Sequence, residues 1–321
     1  MDEFDLIRRY FAPLAGAPGA YDLRDDVAEI QPGLIATKDA IVEGVHFLPD
    51  DPISTVAQKL VRVNVSDIIA KGGKPDAALL ALIWPKARPV SELEEFTRGL
   101  GKDLTRWGAH LVGGDTTSTD GPLTLSLTLL GRVGPRGPVR RSGAQAGDDV
   151  WVSGTIGDGV LGLLAARGAF GDLMAEARNL MVSRYRVPEP PRLKFADLVA
   201  RVARAAIDVS DGLVADARHV AEASGVSLVI DAEDVPLSAT GKSYLDNGKV
   251  ELKTLLTGGD DYQTLFTAPA SFHDEIAAAG EAVTLIGRVE EGKGVKVLDE
   301  LGAEMAFDRA GWTHLTGSAQ P

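Results

Sequence analysis

"AAIDVSDGLVADARHVAEASGVSLVID", residues 205–231, decides the fold. It opens as a short apolar run that ends among acids. Apolar residues at helical spacing follow as far as Gly225, and then comes a second run rich in β-branched residues. Strand, helix and strand in that order are the building unit of α/β proteins. Asp208 and Asp211 stand three apart inside this unit, with Ser210 between them and Gly212 after. A charge beside a core loses hydration unless something replaces it. These two acids therefore imply a partner.

The same alternation extends outward. The second half opens with the strand "DDVWVSG" (148–154) and the helix "GVLGLLAARGAF" (159–170), then a helical region to residue 186 and the loop "VPEPP" (187–191). In the first half, Phe4, Ile7, Phe11 and Leu14 mark one face of a first helix, and "GLIATKDAIVEGVHF" (33–47) contains a strand. "STVAQKLVRVNVSDIIAK" (54–71) has helical spacing, and "AALLALIWP" (77–85) reads as a buried strand. "VSELEEFTRGLGKDLTRWG" (90–108) is an amphipathic helix with Ser91 as its cap and Gly108 as its stop. "AHLVGGDTT" (109–117) is a strand running into a glycine turn, and "LTLSLTLLGRV" (123–133) alternates as a half-buried strand does. The Gly/Pro/Arg-rich stretch at 134–148 divides the chain, giving domains over 1–138 and 139–321. The expected class is α/β (α+β), with two mixed-sheet domains.

Composition narrows the function. The 321 residues carry 46 acids against 33 bases, a net charge of -13, which argues against nucleic acid or an anionic membrane as main partner. There is no cysteine, so disulfides, thiolate metal sites and cysteine nucleophiles are excluded together. The first residues are not a signal peptide, and the longest apolar run, "AALLALIW", is too short to span a bilayer. The expected setting is the cytoplasm.

Two phosphate motifs fail. "GKS" (241–243) has Pro236 where a P-loop needs glycine. Gly157-x-Gly159-x-x-Gly162 lacks the later acid-ended strand of a dinucleotide site and reads as a turn that docks a helix. The acids remain: Asp25 and Asp26, Asp39, Asp67, Asp115, Asp208 and Asp211, and Asp260 and Asp261, each beside an apolar segment and several beside paired glycines. Singly, each could be a cap or a turn. Together they suggest hard oxygen ligands for Mg²⁺. Glycine pairs that let backbone N–H groups approach an anion point the same way, to a metal-bridged polyphosphate.

"RDDVAEI", "ATKDAIVEGVHF", "VNVSDIIAKGGKP", "LVGGDTT", "RRSGAQAGD", "IDVSDGL" and "TGGDDYQ", in this order, resemble the thiamine-monophosphate kinases of the aminoimidazole ribonucleotide synthetase-like superfamily. The resemblance spans nearly the whole chain. It implies ATP as co-substrate, several Mg²⁺ ions and direct phosphoryl transfer without a catalytic side chain. It assigns Asp26, Thr37, Asp39, Asp67, Asp115, Asp208 and Asp211 to metal. Trp107, Gly114, Asp115, Arg141 and Ser210 would meet ATP, and His46, Asp260 and Trp312 the thiamine phosphate. Lys38 and Asp260 depart from the family's usual residues. A homodimer is also implied, its N-terminal sheets pairing through strands such as "LTLSLTLLG". The alternatives are a sister synthetase that activates an amide oxygen and a non-catalytic cation-binding module.

Overall fold

The structure, a computed structural model, describes residues 3–171, 175–308 and 311, with residues 3 and 4 as backbone only. Its first half builds one sheet from β1 (Ala28–Gln31), β2 (Leu34–Val42), β3 (Lys74–Pro85), β4 (His110–Thr119) and β5 (Thr124–Arg132), in the order β1-β2-β5-β3-β4. The second half builds another from β6 (Asp148–Ser153), β7 (Ala205–Val209), β8 (Ser227–Asp231), β9 (Gln263–Pro269), β10 (Val283–Glu290) and β11 (Gly294–Leu298). Their order is β11-β8-β10-β6-β9-β7. The β3–β4 and β8–β11 pairs are parallel and the others antiparallel, so both sheets are mixed, as the sequence predicts.

The helix Ile53–Ala70 joins the halves. Val56, Leu60, Val65 and Ile68 are fully or almost fully buried and share one core with Leu125, Leu127 and Leu129 of β5. That core continues into Phe195 and Phe266 of the second half. The helix touches β2, β5, β7 and β9, so whatever its polar positions carry is delivered to the junction. Gly108 ends the helix Glu92–Trp107 in the left-handed conformation (φ +72°), the role a C-terminal glycine serves.

Several local expectations are corrected. Ser91 gives that helix no side-chain cap. β4 runs on to Thr119, and Gly113 and Gly114 lie within it, just after a register shift against β3 that leaves Val112 as an extra residue, rather than in a turn. β3 is only half-buried, because one face of its sheet is open and Leu79 is 41% exposed on it. β5 is paired on both sides, by β2 and β3, so its edges are not available to a second chain. The N-terminal helix covers only Glu3–Leu6 before widening at Ile7–Phe11, and Phe11 and Leu14 are exposed. The glycine motif does dock its helix: a Cβ on Gly159 would lie 2.5 Å from the Asp260 carbonyl carbon, and one on Gly162 2.4 Å from the Met181 oxygen. Among the described residues no helix is long and apolar enough to cross a membrane.

Candidate active site

Three remote segments meet where the sheets adjoin. Asp26 precedes β1, Asp67 sits near the end of the helix Ile53–Ala70, and Asp208 lies on β7. One oxygen from each falls within 4.8 Å of the others. Thr37 and Asp39 alternate on β2, so both side chains leave the same face, opposite the exposed Lys38. Thr37 Oγ1 donates to Asp67 Oδ2 at 2.5 Å, and Ser66 Oγ donates to Asp208 Oδ2 at 2.6 Å.

The electrostatics show surplus negative charge. Burial, with repulsion from Asp26, pushes Asp208 up to about 7, although the Ser66 hydroxyl favours its ionised form. Burial and the nearby Asp26 and Asp211 push Asp39 up to about 6. Asp67 is raised well above the usual carboxylate range by burial and by Asp208, Asp39 and Asp26. Asp26 is the exception: burial opposes its ionisation, but Arg141 and Lys71 outweigh it and hold it at about 2. A cluster of hard oxygen donors whose members resist sharing their charge is the donor set that suits a divalent cation such as Mg²⁺.

Asp211 and Ser210 lie in the loop between β7 and the helix Leu213–Ser224. Asp216, in that helix's first turn, accepts from the backbone N–H groups of Ser210 (3.1 Å), Asp211 (3.1 Å) and Gly212 (3.2 Å). It ties the loop into a fixed turn. Asp211, Asp216 and His219 form a second group with ligand atoms within 4.8 Å. Arg141 donates from Nε to Asp26 Oδ1 at 2.7 Å, with a second short contact from Nη2, so its guanidinium is anchored to the cluster.

The substrate candidates His46 and Asp260 are joined through a residue the sequence reading passed over. Lys59 Nζ donates to the His46 carbonyl at 2.9 Å and to Asp260 Oδ2 at 3.1 Å, and lies 4.1 Å from the centre of the Tyr185 ring. Asp261 instead serves the fold: it accepts from Gly157 N (2.7 Å) and Gly159 N (2.9 Å), holding the start of the helix Asp158–Ala166 against β9.

Three expected nucleotide contacts lie elsewhere. The Trp107 ring is 3% exposed, because Phe96, Leu100, Leu104 and Trp107 form the buried stripe of their helix; no face is free to stack on a base. Gly114 and Asp115 are exposed on β4, which β3 and β5 separate from β2, and Asp115 belongs to neither close carboxylate group among the described residues. Trp312 lies outside the described residues.

A signal for the missed cations exists in the helix pattern: Lys59, Arg62 and Ser66, and likewise Asp67 and Lys71 just past the helix end, stand three or four apart among buried apolar residues. Such spacing marks a polar seam on a buried element. Asp216 carried no comparable signal.

Two mixed-sheet halves with an acid cluster between them define a class of protein. The chain matches the family models "AIR synthase related protein, N-terminal domain" over residues 24–133 and "AIR synthase related protein, C-terminal domain" over 145–300. It is 43% identical to the thiamine-monophosphate kinase of Caulobacter vibrioides, over 97% of this chain and 90% of that one. It is 36% identical to the thiamine-monophosphate kinase of Aquifex aeolicus, over 90% of this chain and 92% of that one. Among solved structures, "AaThiL complexed with AMPPCP and TMP" superimposes with TM-score 0.86 at 36% identity, covering 98% of this chain and 97% of that one. Thiamine-monophosphate kinase from Stenotrophomonas maltophilia superimposes with TM-score 0.75 at 33% identity, covering 90% and 96%. The chain belongs to the thiamine-monophosphate kinase family.

Proposed function

We propose that this chain transfers the γ-phosphoryl group of ATP to the phosphate of thiamine monophosphate, giving thiamine diphosphate and ADP. The observation that carries the reading is the convergence of Asp26, Asp67 and Asp208 from three distant segments onto one small volume. Family membership supplies the substrates.

The acceptor is a phosphomonoester with a second pKa near 6, so at neutral pH its oxygen is already largely deprotonated. No general base is required. The bond from that oxygen to the γ-phosphorus forms as the bond from the γ-phosphorus to the ADP oxygen breaks. The obstacle is repulsion between two polyanions, about 4 kcal/mol per unit charge pair at 4 Å and an effective dielectric near 20. Bound magnesium supplies positive charge that neutralises both phosphate chains and favours an in-line arrangement. Asp26, Thr37, Asp39, Asp67, Asp208 and Asp211 would hold it. Arg141 and Ser210 would face the nucleotide, and His46 and Asp260, braced by Lys59, would position the thiamine phosphate. The first domain is taken as residues 1–138 and the second as 139–321, and both contribute to the metal and nucleotide site.

The test is product analysis. With ATP, Mg²⁺ and thiamine monophosphate, ADP and thiamine diphosphate should form one for one. ADP with free phosphate and no diphosphate would show a synthetase-type reaction instead, and no ADP at all would leave only a binding protein.

A homodimer is part of the same reading. β4 is exposed along nearly its whole length at the sheet edge, with Leu111 49% and Val112 61% exposed. A long exposed edge strand is an aggregation hazard unless something covers it, and a second copy of the chain would cover it and bring Gly114 and Asp115 to an interface. Light scattering should give twice the chain mass. A monomer at micromolar concentration would remove this part of the proposal.

A further inference from the structure

The helix Ile53–Ala70 is followed by Lys71, whose side chain is completely buried beside the carboxylate cluster. Its ammonium has three hydrogens and three oxygen neighbours: Asp25 Oδ1 at 2.8 Å, Asp26 Oδ2 at 2.5 Å and the Ala206 carbonyl at 2.6 Å. The carbonyl accepts a hydrogen bond, and the two carboxylate contacts are ion pairs. The backbone is fixed as well, since Lys71 N donates to the Asp67 carbonyl and Lys71 O accepts from Val139 N. Asp25 in turn accepts from Arg141 N at 3.0 Å and lies 3.7 Å from Arg140 Nε, and Arg141 pairs with Asp26, so the acid pair is shared among three cations. Nothing in the phosphoryl transfer calls for this lysine, yet it is wholly buried beside the cluster.

We propose that Lys71 is a resident counter-cation: its ammonium fills the place at Asp25 and Asp26 that a divalent ion would otherwise take, and so limits how many ions the cluster accepts. An ammonium packed among oxygen atoms of two carboxylates and a carbonyl stands in for one charge of a hard cation, but it cannot exchange with solvent. It leaves Asp26 partly neutralised and turns the binding capacity of the cluster toward Asp67 and Asp208. It also ties the Asp25–Asp26 segment to β7 through Ala206, two residues from Asp208, so the acids of the two halves are held in register before any ion arrives. Lys71 is thus a positioning residue that sets metal stoichiometry. The inference rests on the divalent-cation reading of the cluster.

The experiment counts Mn²⁺ bound to the nucleotide-free full chain by electron paramagnetic resonance, in wild type and in four variants. Lys71→Met, similar in length and uncharged, should bind one more Mn²⁺ per chain than wild type and should lose thermal stability in EDTA and regain it with Mn²⁺. Lys71→Arg should keep the wild-type count. Lys71→Met/Asp25→Asn removes one charge of each sign and should return to the wild-type count. Asp25→Asn alone, which does not depend on Lys71→Met folding, leaves Lys71 balanced by Asp26 only and should weaken Mn²⁺ binding at least threefold. Equal count and affinity in Lys71→Met and wild type would overturn the proposal while leaving the cation site intact, as would unchanged affinity in Asp25→Asn. A wild-type chain that binds no Mn²⁺ would overturn both this proposal and the reading beneath it.

Discussion

Asp208→Asn should lower turnover of thiamine monophosphate about 10³-fold and leave the fold intact. A factor of that size corresponds to about 4 kcal/mol of barrier, the range over which charge stabilisation by a bound metal acts. Asparagine has nearly the shape of aspartate, and its amide oxygen still accepts from Ser66 Oγ, which lies 2.6 Å from Asp208 Oδ2. What is lost is the negative charge that would hold magnesium. Stability should move the other way. The folded chain raises the Asp208 carboxyl to about 7, chiefly through burial, from an ordinary value near 4. The neutral form is therefore favoured in the fold; its stabilising effect is complete below about pH 4 and is lost as pH rises through about 7. Asparagine stays neutral throughout. In EDTA the variant should melt at or above the wild-type temperature at pH 8, and its advantage should shrink toward pH 5. The kinetic measurement is decisive: activity within tenfold of wild type at millimolar Mg²⁺ would mean that Asp208 holds nothing needed for the reaction.

That opposition between function and stability explains which parts of the site could be read in advance. Asp26, Asp39, Asp67, Asp208 and Asp211 stand out in the sequence because acids beside apolar strands are expensive, and the structure places them together at the junction. Asp115 was singled out on the same grounds, yet a glycine pair and an acid on an edge strand look locally like a glycine pair and an acid at a site; only the strand order separates them. Trp107 shows a different failure. Its position at the end of a helix says nothing about which side of the sheet its ring enters, and the stripe from Phe96 to Leu104 draws it inward. The two mixed sheets were legible because strand and helix periods differ. Which strands lie at an edge was not, because a strand's neighbours are set by remote pairing: the alternation of β5 does not show that β2 and β3 flank it, and the Gly113-Gly114 pair hid the length of β4 at the rim. Lys59, Lys71 and Arg62 were hidden by the habit of placing long cations on surfaces; their partners come from as far as 201 residues away.

Arg62 provides the second large effect. Its side chain is 2% exposed and lies four residues before Ser66 and five before Asp67. Nε donates to Asp103 Oδ2 at 2.5 Å, while Nη1 donates to the Pro188 carbonyl at 2.8 Å and to Glu189 Oε1 at 2.7 Å. One guanidinium thereby fastens the junction helix both to the helix Glu92–Trp107 and to the loop after Arg186 in the second half. Asp103 is wholly buried, and its other hydrogen-bond donor is Gln58 Nε2 at 2.9 Å. Arg62→Met keeps the apolar stem and removes the charge, leaving a buried carboxylate with one neutral partner. Breaking such a pair from one side costs about 3–5 kcal/mol, because the remaining ion keeps its desolvation penalty without its attraction. Denaturant unfolding should show a loss of that size. Arg62→Met/Asp103→Leu removes both charges and should recover most of it, since an apolar replacement of a whole buried pair is often neutral. The two variants separate what the pair does for stability from what it does for geometry. The double variant no longer fastens residues 188–189 to the helix that carries Lys59, and Lys59 is what holds His46 and Asp260 together. Recovered stability with a raised KM for thiamine monophosphate is the expected combination. A single variant that unfolds within about 1 kcal/mol of wild type would show that Asp103 finds another counter-charge, and that the junction is held by its apolar core alone.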